Sequence, residues 1–219
     1  MGISNLPINN ISTLRETFTP EEKSRLESDG ALIYQLTGQT IEQQREAREK
    51  LGLPSFGLIP FGEQVTKVPS RQIEVAIYPD PGRFFIPGSF SKFAIDQERM
   101  AEEDARELRK RLRLPKITQI IPDEAATVTE LIFQHLDKTG VWLLGDAYSR
   151  YTKERGIFRV MVRTKNPSNK KDWLVNVGFG VNAVSLSGWH HYSSQPSLGA
   201  LRLIVPTKHR LDSWIKIPF

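Results

Sequence analysis

The spacing of the apolar residues changes near residue 140, and this change restricts the fold more than any other feature of the sequence. Upstream, residues 91–112 and 124–138 carry apolar side chains at helical spacing. Downstream, apolar and polar residues alternate in short runs without intervening helices, which favours antiparallel pairing. The sequence therefore predicts the α+β class, with a mainly antiparallel sheet of C-terminal strands and two principal helices packed on one side.

Local signals define the remaining elements. Thr19 and Thr40 each begin a capping box, because a glutamate or glutamine three residues later can bond back to the threonine amide. A short helix is therefore predicted after each threonine. Strands are predicted at nine apolar runs: residues 31–36, 72–78, 84–86, 117–121, 141–144, 157–164, 173–179, 181–186 and 201–205.

The sequence predicts one structured unit preceded by an arm. Residues 1–18 are polar, rich in asparagine and without sustained periodicity, so we expect a flexible N-terminal arm. Residues 19–219 contain no convincing linker, so we expect a single α+β domain. Within it, an acidic, helix-containing part spans 19–137 and a basic, strand-rich part spans 138–219.

The formal net charge of +5 is the sum of two unlike parts. Residues 1–137 contain 17 lysines and arginines against 21 aspartates and glutamates, a balance of −4. Residues 138–219 contain 13 basic residues against four acidic ones, a balance of +9. A basic excess of this kind is typical of proteins with an anionic partner, such as nucleic acid or an acidic protein surface. A basic face that only keeps the protein soluble is the alternative.

Strand alternation over residues 156–165 predicts a row of cations on one sheet face, opposite an apolar face that joins the core. The row contains Arg159, Arg163 and Lys165, and the following loop adds Lys170 and Lys171. A basic sheet face with nearby aromatic residues is how many single-strand and RNA binders combine phosphate neutralisation with base stacking. We therefore expect a non-enzymatic protein that binds an anionic partner, nucleic acid first, through these five residues.

Two polar and aromatic loops support a second hypothesis, an enzyme or small-molecule-binding domain of unknown chemistry. The loops span residues 148–152 and 189–192, and an arginine beside tyrosines could hold an anionic ligand. Their candidate residues are Tyr148, Arg150, Tyr151, Trp189, His190, His191 and Tyr192. A third hypothesis is an assembly protein whose basic sheet docks an acidic surface, such as the N-terminal part of a second copy.

Other kinds of site lack their sequence signals. The chain has no cysteine, which excludes disulfide scaffolds, cysteine-ligated metals and thiol catalysis. The four histidines form neither an HExxH nor an HxH motif, so no metal is predicted. Residues 178–183 match GxGxxA, but poor helix formers follow them and no P-loop occurs, so no nucleotide cofactor is predicted.

The sequence also bears on location. No apolar run approaches the length of a membrane span, and the N-terminus lacks the basic start and apolar centre of a signal peptide. We therefore expect a soluble, cytoplasmic protein without membrane contact.

Overall fold

A computed structural model of the chain describes residues 14–145, 161–168, 170–179 and 183–209. Within these ranges the protein contains six helices and eight strands, in the α+β class that the sequence predicts. The helices are α1 (Pro20–Ser28), α2 (Ile41–Lys50), α3 (Glu63–Thr66), α4 (Pro81–Phe84), α5 (Ala94–Leu112) and α6 (Ala125–Thr139). The strands are β1 (Leu32–Gln35), β2 (Glu74–Ile77), β3 (Ile117–Ile120), β4 (Met161–Pro167), β5 (Trp173–Phe179), β6 (Val184–His190), β7 (Leu198–Gly199) and β8 (Leu203–Pro206).

Both predicted capping boxes are confirmed. The Glu22 amide donates to Thr19 Oγ1 over 3.2 Å, and the Thr19 amide donates to Glu22 Oε2 over 2.8 Å. Thr40 and Gln43 repeat the arrangement at the start of α2, with distances of 3.1 and 2.9 Å. Each box supplies acceptors for amides that a helix start leaves without intrahelical partners.

The described strands divide between two four-stranded sheets. The first has the order β1-β2-β8-β3 and is antiparallel throughout. The second has the order β6-β5-β4-β7 and is antiparallel except for the short β4–β7 pair. The C-terminal strands therefore build the whole second sheet and also supply β8, which enters the first sheet between β2 and β3.

The two long helices lie on opposite faces of the first sheet, whereas the sequence predicts both of them on one side. Alternate residues of β2 belong to two different hydrophobic clusters, Val75 and Ile77 to one and Ala76 to the other. The first cluster contains the apolar residues of α6, whereas the second contains Leu108 of α5. Because successive strand residues point to opposite faces, the helices cover opposite sides. The first cluster also contains Val175 and other residues of the second sheet, so the two sheets share one core.

Two predicted strands are wrong. In the 84–86 run, Phe84 ends the helical turn α4, which begins where Asp80 accepts a hydrogen bond from the Gly82 amide. Phe85 then forms an isolated bridge with Leu201. The 141–144 run forms no strand, because residues 142–145 make a turn in which the Gly145 amide donates to the Trp142 carbonyl over 3.3 Å and Leu144 is left-handed with φ of 64°.

The other predicted strands are found, with shifted ends except for 173–179, which matches β5 at both ends. Of the predicted strand 181–186, residues 184–186 belong to β6, whereas residues 181 and 182 lie outside the described residues. Of the predicted strand 157–164, residues 161–164 belong to β4 and residues 157–160 lie outside the described residues.

The described end of the predicted arm contacts the first sheet. Phe18 is buried, and its amide donates to Glu74 Oε2 over 2.8 Å. The Arg15 amide donates to the Pro206 carbonyl over 3.1 Å. Residues 1–13 lie outside the described residues. Among the helices that are described, none is long and apolar enough to cross a membrane.

Candidate functional site

Arg163 does not stand on an exposed cationic row. Its side chain is among the largest fully buried ones, with 1% of the residue exposed, so the predicted exposure is wrong. Its Nε donates to Gln97 Oε1 over 2.5 Å, and its Nη2 donates to the carbonyl oxygens of Ser193 and Lys92 over 2.8 and 3.4 Å. Burial lowers the pKa of the guanidinium from its ordinary value to about 10.

The burial of Arg163 follows from the packing of distant segments against β4. The face opposite Val162 was expected to meet solvent, but the start of α5 lies over it and supplies Gln97, which is itself fully buried. The turn after β6 covers the same guanidinium through the Ser193 carbonyl. Strand alternation assigns the face of a residue but does not reveal what packs on that face.

Lys165 lies in a different environment from the other residues that were predicted to bind an anionic partner. Its Nζ lies 3.6 Å from Glu98 Oε1, and its side chain is 27% exposed. It lines a cavity of about 460 Å³ between α5 and β3. Lys165 therefore belongs to a mixed-charge cavity rather than to a basic row.

Lys170 and Lys171 are exposed at the start of β5, and the strand register brings them to the aromatic residues that end β6. Trp173 lies directly opposite His190 in the antiparallel pair. The pairing continues one residue further, because the His191 amide donates to the Asp172 carbonyl over 2.9 Å. Two groups that were predicted for different functions thus share one end of the second sheet.

We call this surface the sheet-end patch and define it by Lys170, Lys171, Trp173, His190, His191 and Tyr192. Tyr192 is 67% exposed, whereas Trp173, His190 and His191 are half-buried. Lys170 Nζ lies 4.7 Å from the centre of the Trp173 ring, so this tryptophan is at the surface end of the strand rather than wholly in the core.

The three consecutive aromatic residues of the patch form a stack. The ring centres of His190 and His191 are 4.8 Å apart with an interplanar angle of 19°. The rings of His190 and Tyr192 are also stacked, at 5.5 Å, and those of His191 and Tyr192 are tilted at 3.8 Å. The adjacent histidines avoid opposite faces because β6 ends at His190 and the chain turns there.

Trp189 occupies a different face from the stack. It lies opposite Leu174 in β5, and its indole Nε1 is buried without a hydrogen-bond partner. Four further predicted site residues, Arg159, Tyr148, Arg150 and Tyr151, lie outside the described residues.

Sequence reasoning missed the contribution of Gln97 and of the Ser193 carbonyl, which hold Arg163. No sequence signal marks either residue, because both act across more than 25 positions of the chain. The partnership of Trp173 with His190 is set by the β5–β6 register, in which the seven residues of each strand pair in turn.

Metal binding has no support among the described residues, which contain no cluster of three or more histidine, aspartate or glutamate side chains that could hold an ion. Comparison with protein-family models, curated proteins and solved structures finds no match to the chain. A functional inference therefore depends on the geometry of its residues.

Proposed function

We propose that the protein is a non-enzymatic binding protein for an anionic partner, single-stranded nucleic acid, and that it binds through the sheet-end patch. The observation that carries the proposal is the β5–β6 register, which brings the exposed Lys170 and Lys171 to the stacked aromatic residues after Trp189. Cations that neutralise phosphates and rings that stack on bases are the two components of single-strand binding sites.

The aromatic stack supplies surfaces of the right kind. Tyr192 ends the stack and is the most exposed of its three rings. A base can therefore extend the stack on the open side of this ring, as bases do on aromatic side chains in single-strand and RNA-binding modules.

The charge of the patch favours an anion. Lys170 and Lys171 face one acidic neighbour, Asp172, whose carbonyl oxygen accepts hydrogen bonds from the amide and from Nδ1 of His191. The two lysines outnumber this carboxylate, so the patch has a net positive charge.

The test is fluorescence anisotropy with labelled single-stranded oligonucleotides over a series of salt concentrations. The logarithm of affinity is expected to fall linearly with the logarithm of salt concentration, because binding releases counterions from the strand. Replacing both Lys170 and Lys171 with glutamine should weaken binding and reduce the slope by about 1.4, at about 0.7 per lost phosphate contact.

The matched control replaces Lys110 and Lys116, which are also exposed, with glutamine. Lys110 is far from the patch. It lies in the last turn of α5, about 24 Å along the helix axis from Ala94, whose amide contacts the His191 carbonyl, at a rise of about 1.5 Å per residue. Both double variants lose two charges, so equal losses of affinity would show that only net charge matters and would contradict the proposal. Absence of salt-dependent binding to any oligonucleotide would also contradict it.

The 460 Å³ cavity favours a second candidate, a small-molecule-binding domain. Its size lies in the range of ligand pockets, and its lining mixes apolar residues such as Ala101 and Ile121 with Glu98 and Lys165. A thermal-shift screen of metabolite-sized compounds tests this candidate. A compound whose stabilisation is lost on Ala101→Trp, which would fill the cavity, supports it, and the absence of any such compound counts against it.

A further inference from the structure

The positive charge of Arg163 is not compensated inside the described part of the chain. All three of its acceptors are neutral: the Gln97 side-chain oxygen and the carbonyl oxygens of Ser193 and Lys92. Its Nη1 is buried and has no hydrogen-bond partner. Burial of a charge without an opposite charge or a full set of hydrogen bonds costs several kcal/mol in general.

Two other buried arginines of the protein, Arg48 and Arg202, are neutralised by carboxylates. Arg48 donates through both terminal nitrogens to the Asp137 carboxylate, over 2.8 and 3.0 Å. Arg202 donates to Asp104 over 2.7 and 2.8 Å. The arrangement at Arg163 therefore differs from those at Arg48 and Arg202, where a carboxylate faces the guanidinium.

The guanidinium lies at the N-terminus of α5, a helix of 19 residues. The N-cap residue is Phe93, whose side chain accepts no hydrogen bond. The Ala94 amide reaches the His191 carbonyl over 3.3 Å, and the amides of Ile95 and Asp96 have no acceptor within the helix. A helix start with free amides and a positive dipole end is a favourable place for an anion.

Charged neighbours leave this place positive. The two acidic side chains of the first helical turns are paired, Asp96 with Arg99 over 3.3 Å and Glu98 with Lys165 over 3.6 Å. Lys92, just before the helix, is exposed. After these pairs are subtracted, the charges of Arg163 and Lys92 remain.

We propose that Arg163 and the first turn of α5 form a phosphate-binding site next to the sheet-end patch. A phosphate oxygen would accept from Arg163 Nη1, and others from the amides of Ile95 and Asp96. The Ser193 carbonyl covers the guanidinium, so the turn at residues 191–195 must move aside to admit the ligand. The same turn carries His191 and Tyr192, so a strand stacked on the patch is close to the site.

The preferred ligand is a phosphate monoester, because its second negative charge matches the two unpaired cations better than the single charge of a backbone diester. The phosphate monoester could be the terminal phosphate of a bound strand or a free phosphate ion. The first case rests on the proposed function, whereas the second does not. Both present the same chemical group, and the experiment distinguishes them.

The first measurement compares one single-stranded oligonucleotide with and without a 5′-phosphate, at constant ionic strength. The phosphorylated strand is expected to bind about tenfold more tightly, the effect of one charge-assisted hydrogen bond of about 1.4 kcal/mol. Arg163→Gln should remove this preference. Arg106→Gln, an exposed arginine further along α5, removes the same charge and should retain it.

The second measurement needs no variant and keeps the proposal falsifiable if Arg163→Gln does not fold. Inorganic phosphate is titrated into the isotope-labelled wild-type protein against chloride of equal ionic strength, and amide chemical shifts are followed by nuclear magnetic resonance. The amides of Ile95 and Asp96 are expected to shift more than amides elsewhere. Shifts that are no larger there overturn the site.

The outcomes distinguish this site from the proposed function. Equal affinity for both oligonucleotides, or a preference that survives Arg163→Gln, overturns the phosphate site and leaves binding by the patch intact. Phosphate-dependent shifts at Ile95 and Asp96 without binding of either oligonucleotide support the site as a binder of free phosphate and contradict the proposed function.

Discussion

Tyr34 on β1 and His135 on α6 form a buried hydrogen bond, with 2.5 Å between Tyr34 Oη and His135 Nδ1. Burial raises the pKa of Tyr34 to about 12, so the phenol keeps its proton and can donate it. Burial, together with the charge of Lys138, lowers the pKa of His135 below its ordinary value of 6.5, so the imidazole is the neutral acceptor.

This pair makes stability depend on pH. Below pH 6.5 the unfolded chain protonates His135 while the folded protein resists protonation, so the unfolded state binds more protons. The contribution of His135 to the free energy of unfolding is therefore complete above pH 6.5 and should decrease as the pH falls below it. Urea denaturation at a series of pH values measures the change.

His135→Gln should remove that part of the pH dependence, whereas Ser194→Ala, an exposed change that removes no titrating group, should leave it unchanged. An acid-side decrease of the same size in all three proteins would contradict the assignment to His135.

Among the carboxylates of α5, Asp104 is expected to contribute most to the free energy of unfolding. It accepts two hydrogen bonds from Arg202 and one from Gln119 Nε2 over 2.6 Å. Asp104→Ala should lower the free energy of unfolding by about 3 kcal/mol, because it leaves a buried guanidinium unpaired. Glu102→Gln, in an exposed pair with Arg106, should cost less than about 0.5 kcal/mol in the same urea titration. Similar costs for both variants would count against the buried network.

The second capping box gives a prediction for α2. Thr40→Ala removes the hydroxyl that accepts from the Gln43 amide and should cost about 1 kcal/mol of unfolding free energy. Thr40→Ser keeps the hydroxyl and should remain close to the wild type. A serine variant as unstable as the alanine variant would mean that the methyl group, rather than the cap, stabilises the helix start.

Two substitutions of Tyr192 distinguish base stacking from hydrogen bonding in the sheet-end patch. Tyr192→Ala should weaken single-strand binding by about 1–3 kcal/mol, the usual value of one stacked base. Tyr192→Phe keeps the ring and should bind nearly as well as the wild type in the anisotropy assay. Because the side chain is largely exposed, neither variant should change thermal stability. Equal loss in both variants would identify the hydroxyl as the contact and contradict stacking.

The sequence was informative wherever a structure depends on neighbours along the chain. The capping boxes at Thr19 and Thr40 need residues only three positions apart, and both are found. Strand β5 follows from alternation over seven residues and agrees at both ends. The failure at residues 84–86 has a similar origin, since apolar Phe84 and Phe85 resemble a strand while Asp80 and Pro81 start a helical turn just before them.

The candidate site was only partly predictable. The residue types of the sheet-end patch were visible in the sequence, but Lys170 and Lys171 were assigned to one function and His190 to Tyr192 to another. Their meeting depends on the β5–β6 register, which backbone hydrogen bonds set between strands.

By itself, the sequence determined the secondary-structure class, the helix starts and the unequal distribution of charge, because each of these depends on composition or on short-range periodicity. Only the tertiary structure decided which cations meet solvent. Arg163 and Lys170 lie seven positions apart in one basic segment, yet the first is buried beneath α5 and the second is exposed. The physical reason is that burial is a property of what packs on a face, and at Arg163 this comes from Gln97 and Ser193, on two distant segments.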